Sequence, residues 1–224
     1  MMRRAVTFGL WIVPLAIAWT PCAADERSAL QWSQFRGPGG EATYEGSVPT
    51  TWGPETNIVW KTPLSGPGSS SPIIHGDRVY LTYHTGYGLS DQERGEMRRL
   101  MLHLVCLDRR DGTSLWDREI APALPEEPYE GRMFHHGYAS STPAADELGV
   151  YCFFGKSGVH AFDHDGNPLW RADVGSQVHG WGSGASPILH GELLIVNASV
   201  ESESLVALDK ATGREVWRTT GIRE

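Results

Sequence analysis

The chain has 224 residues, 40% of them hydrophobic and 21% charged, with 26 Gly, 14 Pro and a formal net charge of −8 at pH 7. This is the composition of an ordinary globular protein, without the charge excess or low complexity of a disordered one. The acidic balance works against nucleic acid or an anionic membrane surface as a partner, since either would be approached against like charge.

At the N-terminus, Arg3 and Arg4 precede an apolar stretch from Ala5 to Ala18, and Cys22-Ala-Ala24 places small residues before Asp25. A basic start, a short apolar run and small residues at a cleavage point are the parts of a secretory signal peptide, assigned to residues 1–24. The run is short for a membrane span, and Pro14 interrupts it. Export to the periplasm or cell envelope is expected. Without Cys22 only Cys106 and Cys152 remain, each inside an apolar run. Buried thiols are the favoured reading, and the export route leaves a bridge between them open. Residues 25–51 read as an N-terminal extension.

From residue 63 onward the chain repeats itself. LHLVCLDRRDGTSLWD, VHAFDHDGNPLWR and LVALDKATGREVWR align on Asp108, Gly112 and Trp116, then Asp163, Gly166 and Trp170, then Asp209, Gly213 and Trp217. Upstream of each copy lies a second shared piece: SSSPIIHGDRVYL, SSTPAADELGVYC and GASPILHGELLIV. Each unit reads as four short strands joined by turns. Asp can bond its own backbone there, and Gly supplies a positive φ. The spacing predicts an all-β fold, a β-propeller of four-stranded antiparallel blades: blade 1 over 63–118, blade 2 over 119–171 and blade 3 over 172–224. The recurrent Trp is expected to pack on the neighbouring blade. Residues 52–62 resemble only the last strand of a unit, the closing strand of a blade supplied by the other end of the chain. Three blades and one such strand fall short of the usual ring of four to eight. The expectation is an N-terminal part of a longer protein, its missing C-terminal blades closing the ring, with self-association as the alternative.

The run Ala207-Leu-Asp-Lys-Ala-Thr-Gly-Arg-Glu-Val-Trp217 resembles the AxDxxTGxxxW repeat of the PQQ-like β-propeller superfamily, which takes in quinoprotein dehydrogenases and the outer-membrane assembly protein BamB. The first copy departs with Cys106 and Asp111, and the second is one residue shorter in its turn. Trp32-Ser-Gln-Phe-Arg-Gly-Pro38 is similar to the start of secreted PQQ-like propeller proteins. The resemblance implies the fold, and either of two functions. One is a non-catalytic binding or scaffold module in the cell envelope with a protein or envelope partner. The other is a fragment of a quinoprotein dehydrogenase that holds PQQ with Ca²⁺ and oxidises an alcohol or sugar.

Sites in such a fold belong to loops. Two loops that lead into a first strand share a pattern, His136-Gly-Tyr138 and His179-Gly-Trp181, so the two imidazoles are expected in similar places of adjacent blades. They suit a metal or carboxylate, acid–base work, or plain stacking along the channel wall. Lys156, Asn197, Glu201 and Glu203 join them on the same predicted face, with His135, Arg132 and the polar insert 83–99 as further candidates. No catalytic residue is assigned. Asp163-His-Asp165-Gly-Asn167 has the start of a calcium loop but lacks its downstream Glu, and coincides with the repeat turn.

Overall fold

The computed structural model describes residues 31–90, 92, 94–131, 134 and 136–222. The expected signal peptide, and the candidates Arg132 and His135, lie outside them. Three antiparallel four-stranded sheets follow one another along the chain, each with its strands in sequence order. The first holds β1 (Ile73–His75), β2 (Arg78–Thr85), β3 (Met101–Asp108) and β4 (Ser114–Ile120). The second holds β5 (Ala144–Asp146), β6 (Gly149–Phe153), β7 (Val159–Phe162) and β8 (Pro168–Ala172). The third holds β9 (Ile188–His190), β10 (Leu193–Ala198), β11 (Ser204–Asp209) and β12 (Glu215–Thr220). β1 lies against β5 and β5 against β9, so the first strand of each sheet is innermost. The sheets are blades of a β-propeller.

Burial follows from this stacking. β3 and β6 are buried along nearly their whole length because neighbouring blades cover them, and so they read as continuous apolar runs. β4, β8 and β12 form the outer rim and are mostly exposed or half-buried. One core layer joins blades 1 and 2 through residues such as Tyr80, Leu104, Val150 and Phe162. A second joins blades 2 and 3 through Tyr151, Phe153, Leu194 and Val206. Cys106 and Cys152 are both free and buried in the first layer, where burial pushes the Cys106 thiol up to about 11.

A bulge recurs at one point of every blade. Cys106 pairs with Trp116 but Leu107 with Ser114; Ala161 pairs with Trp170 but Phe162 with Pro168; Ala207 pairs with Trp217 but Leu208 with Glu215. The skipped residues, Leu115, Leu169 and Val216, are turned out to solvent. Such an extra residue kinks the strand and re-aims its neighbour. The neighbour is the repeat Trp, and it reaches the next blade. Trp116 Nε1 donates to His164 O and Trp170 Nε1 to Lys210 O, both at 2.9 Å. The acceptor is each time the residue after the turn Asp. The indole also lies on the turn Gly. A Cβ at Gly166 would stand 2.8 Å from Trp116, and one at Gly213 2.4 Å from Trp170, with φ of +81° and +71°. Asp, Gly and Trp recur together because the Trp of one blade docks on the Asp–Gly turn of the next.

The same contact precedes blade 1. Trp60 Nε1 donates to Arg109 O at 2.9 Å, Thr62 Oγ1 donates to Gly112 O at 2.6 Å, and a Cβ at Gly112 would meet Trp60 at 2.4 Å. Arg118, two residues after Trp116, donates its Nε to Gly166 O in the corresponding place. Residues 57–62 have no ladder partner among the described residues. Trp60 and Thr62 nonetheless dock on blade 1 as an outer strand would, and Trp60 packs against the layer of Val79, Val105 and Leu107.

The N-terminal extension contributes a strap across the inner strands. Trp32 and Ile74 exchange backbone hydrogen bonds at 2.9 Å, Ala145 N donates to Ser33 O at 2.8 Å, and Leu189 N donates to Gln34 Oε1 at 3.3 Å. Three consecutive residues thus bond to the innermost strand of all three blades, capping edges that would otherwise stay unpaired.

One expectation needs correction. The segment 83–99 reads as a solvated polar insert, but Tyr83–Thr85 belong to β2, and β2 and β3 each run to eight residues. Tyr87 is buried, and it packs near Tyr138 of blade 2 with ring centroids 5.8 Å apart. Aromatic residues outweigh the Arg and Glu content because a neighbouring loop offers them a surface.

Candidate functional site

The loops leading into β5 and β9 meet the loops between second and third strands on one side of the blades. The linker before β5 is pinned there by Lys156. Its Nζ donates to the Pro125 carbonyl and lies 3.9 Å from Glu126 Oε2, with both charged side chains about nine-tenths covered. Ser157 supports the same linker, accepting from Ala123 N at 3.0 Å. Burial pushes the Glu126 carboxyl up to about 7 although Lys156 pulls it down, and the nearby Glu201 adds to the rise. A buried acid that titrates near neutrality is the strongest electrostatic feature of this face.

Around it lies a narrow, partly open cleft with room for about 30 Å³, lined by Glu126, Tyr129, Tyr138, Lys156, His179 and Glu201 among others. Tyr138 donates its hydroxyl to Glu127 O at 2.8 Å and stacks on Tyr129 with centroids 4.9 Å apart. Burial raises both phenols far above neutrality, so they act as hydrogen-bond donors. The fold therefore brings together Tyr138, Lys156, His179 and Glu201 of the candidates read from sequence. Trp181 and Asn197 fall outside the cleft. Trp181 is 67% exposed, and Asn197 is exposed with its Oδ1 accepting from Ser199 N at 3.0 Å. Glu203 closes the short helix α1 (Ser199–Ser202) in a left-handed conformation.

The two histidines occupy unlike surroundings. His136 is half-buried, with Nδ1 3.1 Å from Ser140 Oγ and its ring against blade 3, where a Cβ at Gly184 would come within 2.9 Å of it. Burial lowers its pKa, with the Ser183 carbonyl opposing. His179 is exposed, and its Nδ1 accepts from Trp181 N at 3.3 Å. The repeat places them alike, but a following blade's loop packs on His136, whereas His179 is exposed.

Three site features escape a reading by motif. Glu126 hides in a Pro- and Glu-rich linker, and Tyr129 beside it has no repeat counterpart. His84, near the end of β2, is 2% exposed and packs edge-on against Tyr138 with centroids 5.3 Å apart. On the far face of blade 1, Thr85 Oγ1 lies 2.9 Å from His103 Nε2, His103 Nδ1 lies 3.0 Å from Asp117 Oδ1, and Tyr83 donates to Asp117. Alternation along β2, β3 and β4 puts these four on one face, which shows only once the register is known.

Residues 100–223 match the family described as outer membrane protein assembly factor BamB. The chain belongs to this family. It is a PQQ-like repeat β-propeller protein. BamB from Moraxella catarrhalis shares the fold, with a TM-score of 0.50 and 16% identity over 73% of this chain and 40% of that one. A quinohemoprotein alcohol dehydrogenase from Pseudomonas putida HK5 aligns with a TM-score of 0.46 and 18% identity, over 72% of this chain and 22% of its own. One from Comamonas testosteroni aligns at 0.45 and 15%, over 69% and 21%. The chain thus spans less than half the length of each of these structures. No curated protein sequence matches it.

Several aromatic and charged side chains of this BamB-family chain are already engaged within the fold. Trp60, Trp116 and Trp170 are committed to inter-blade contacts, and Trp32–Gln34 run along the inner strands. Lys156 and Glu126 are spent on each other and on the linker.

Proposed function

We propose that this protein is an exported, non-catalytic binding module of the cell envelope, and that its ligand is another protein. The reading is carried by the family match over residues 100–223. The loop leading into β9 adds exposed apolar side chains, with Val178 43% and Trp181 67% exposed. Large apolar side chains held in water favour association, because covering them releases ordered water. Family membership supports the envelope setting, and the signal-peptide pattern expected at residues 1–24 supports export. No helix among the described residues is long and apolar enough to cross a membrane.

The test is to place a photo-crosslinking residue at Trp181 or Val178 in the native host. An adduct to an envelope protein is expected, and Trp181→Ala should weaken co-purification of that protein by about tenfold or more. Adducts spread evenly over all surface positions would overturn the reading. So would saturable binding of PQQ with Ca²⁺ that raises the melting temperature.

A further inference from the structure

Trp60, Trp116 and Trp170 dock on the backbone oxygen of the residue after a turn Asp, and that residue is Arg109 in blade 1, His164 in blade 2 and Lys210 in blade 3. Of these three side chains, the imidazole is the one that changes charge between about pH 5 and 8. The His164 ring is also bonded at both nitrogens. Its Nε2 lies 2.8 Å from the Asp146 carbonyl, which only accepts, so the proton is on Nε2. Nδ1 then accepts from the Tyr80 hydroxyl of β2 at 2.7 Å. Tyr80 is fully buried, and burial raises its phenol so far that it stays a donor. His75, at the end of β1, stacks on the His164 ring with an interplanar angle of 3° and centroids 4.9 Å apart.

We propose that the His75–His164 stack is an acid-sensitive latch between blades 1 and 2. While the pair is neutral, Tyr80 holds the 163–167 turn on blade 1; protonation of the pair breaks the Tyr80 bond and loosens that turn. A second proton on His164 would set an N–H against a hydroxyl hydrogen in a buried layer, and two stacked imidazolium rings would repel at close range. Burial lowers the His75 pKa and the neighbouring His164 lowers it further, while Glu147 and Asp146 oppose. The fold therefore favours neutral His75: its stability contribution is full above the unfolded value of about 6.5 and is lost as pH falls through the folded one. Of the acids facing the pair, Asp165 is paired with Arg78 at 3.0 Å and Asp146 with Lys210 at 3.1 Å, and Asp163 accepts from the amides of Asp165 and Asn167 in its own turn. Cys106 of β3, beside Tyr80, is kept a neutral thiol by burial. The stack lies at the end of the blades opposite the loops of the candidate site, so the latch and the protein-binding reading stand separately.

The experiment is hydrogen exchange of the full chain at about pH 7.5 and about pH 5, with rates corrected for the intrinsic effect of pH, comparing the 163–167 turn with its counterpart at 209–214 in blade 3. Acid should lower the protection of the 163–167 amides at least about tenfold more than that of the 209–214 amides, where the pairing of Lys210 with Asp146 and Glu192 keeps its ammonium charged. His164→Gln keeps a donor for Asp146 and an acceptor for Tyr80 without a titrating group. It should erase the difference between the turns while leaving the protection seen near neutrality. His75→Gln removes the second charge and should reduce the difference severalfold, and it decides the matter if His164→Gln fails to fold. Equal loss of protection in the two turns would refute the proposal. So would a difference that survives unchanged in either variant.

Discussion

Gly213 shows how one residue records a contact made by another blade. Its φ is +71°, and a Cβ would stand 2.4 Å from Trp170, whereas Gly191 has a φ of +57° and open space around it. Gly191→Ala should cost about 1 kcal/mol, the backbone penalty alone, and Gly213→Ala about 2 kcal/mol or more, because the indole must move as well. Urea midpoints of the two variants check the difference. Glu126 makes a second residue-level prediction. Burial raises its folded-state pKa to about 7, above the usual range near 4.3 for an unfolded chain. Its protonated form is the one the fold favours, so its stability contribution is full below pH 4 and is lost as pH rises through 7. Glu126→Gln should flatten the stability profile over that window, by up to about 3 kcal/mol. Asp117 works in the opposite direction. Burial would raise it, but bonds from His103 and Tyr83 outweigh burial and lower it. Its contribution is present above the unfolded carboxylate pKa and lost as pH falls through the folded one, so Asp117→Asn should lessen the acid sensitivity of unfolding.

At the scale of elements, the strap at Trp32–Gln34 and the bulged outer strands do different work. The bulge places Trp for the next blade, a contact between consecutive units. The strap bonds to β1, β5 and β9 at once, a contact that no repeat unit contains. Trp32→Pro removes the amide that donates to Ile74 O. Hydrogen exchange at Ile74, Ala145 and Leu189 should then accelerate together, by about tenfold or more, while β3 and β7 amides keep their protection. Acceleration at Ile74 alone would mean that the strap merely abuts blade 1. The linker pinned by Lys156 belongs to this scale as well. It is a Pro- and Glu-rich connection, but its docking depends on a lysine between β6 and β7, and nothing in the local pattern announces that pairing.

For the whole molecule, the informative comparison is between equal residues with unequal neighbours. Trp170 and Trp217 hold the same repeat position, but Trp170 docks on blade 3 while Trp217 is 37% exposed. Trp170→Ala should cost about 3–5 kcal/mol, as for a large side chain removed from a packed layer. Trp217→Ala should cost less than about 1 kcal/mol in the isolated chain. Ile188 and Ile195 face the same way as Trp217, and their counterparts Ile73 and Tyr80 in blade 1 are fully buried. Blade 3 thus repeats on this face the apolar positions that a following blade covers in blades 1 and 2.

The sequence by itself determined the repeat, the four-stranded blade and the role of the Asp, Gly and Trp positions, because turn chemistry and strand periodicity are local and recur three times. It also marked Trp60 as a lone outer strand, since the Trp and its flanks survive without the rest of a unit. Only the tertiary structure decided which candidates share a site. His136 and His179 have one motif and two environments, because burial depends on what packs alongside. His84, Glu126 and Tyr129 enter the site through contacts between loops far apart in the chain. Side-chain identity and spacing carry no information about such contacts until the blades are stacked.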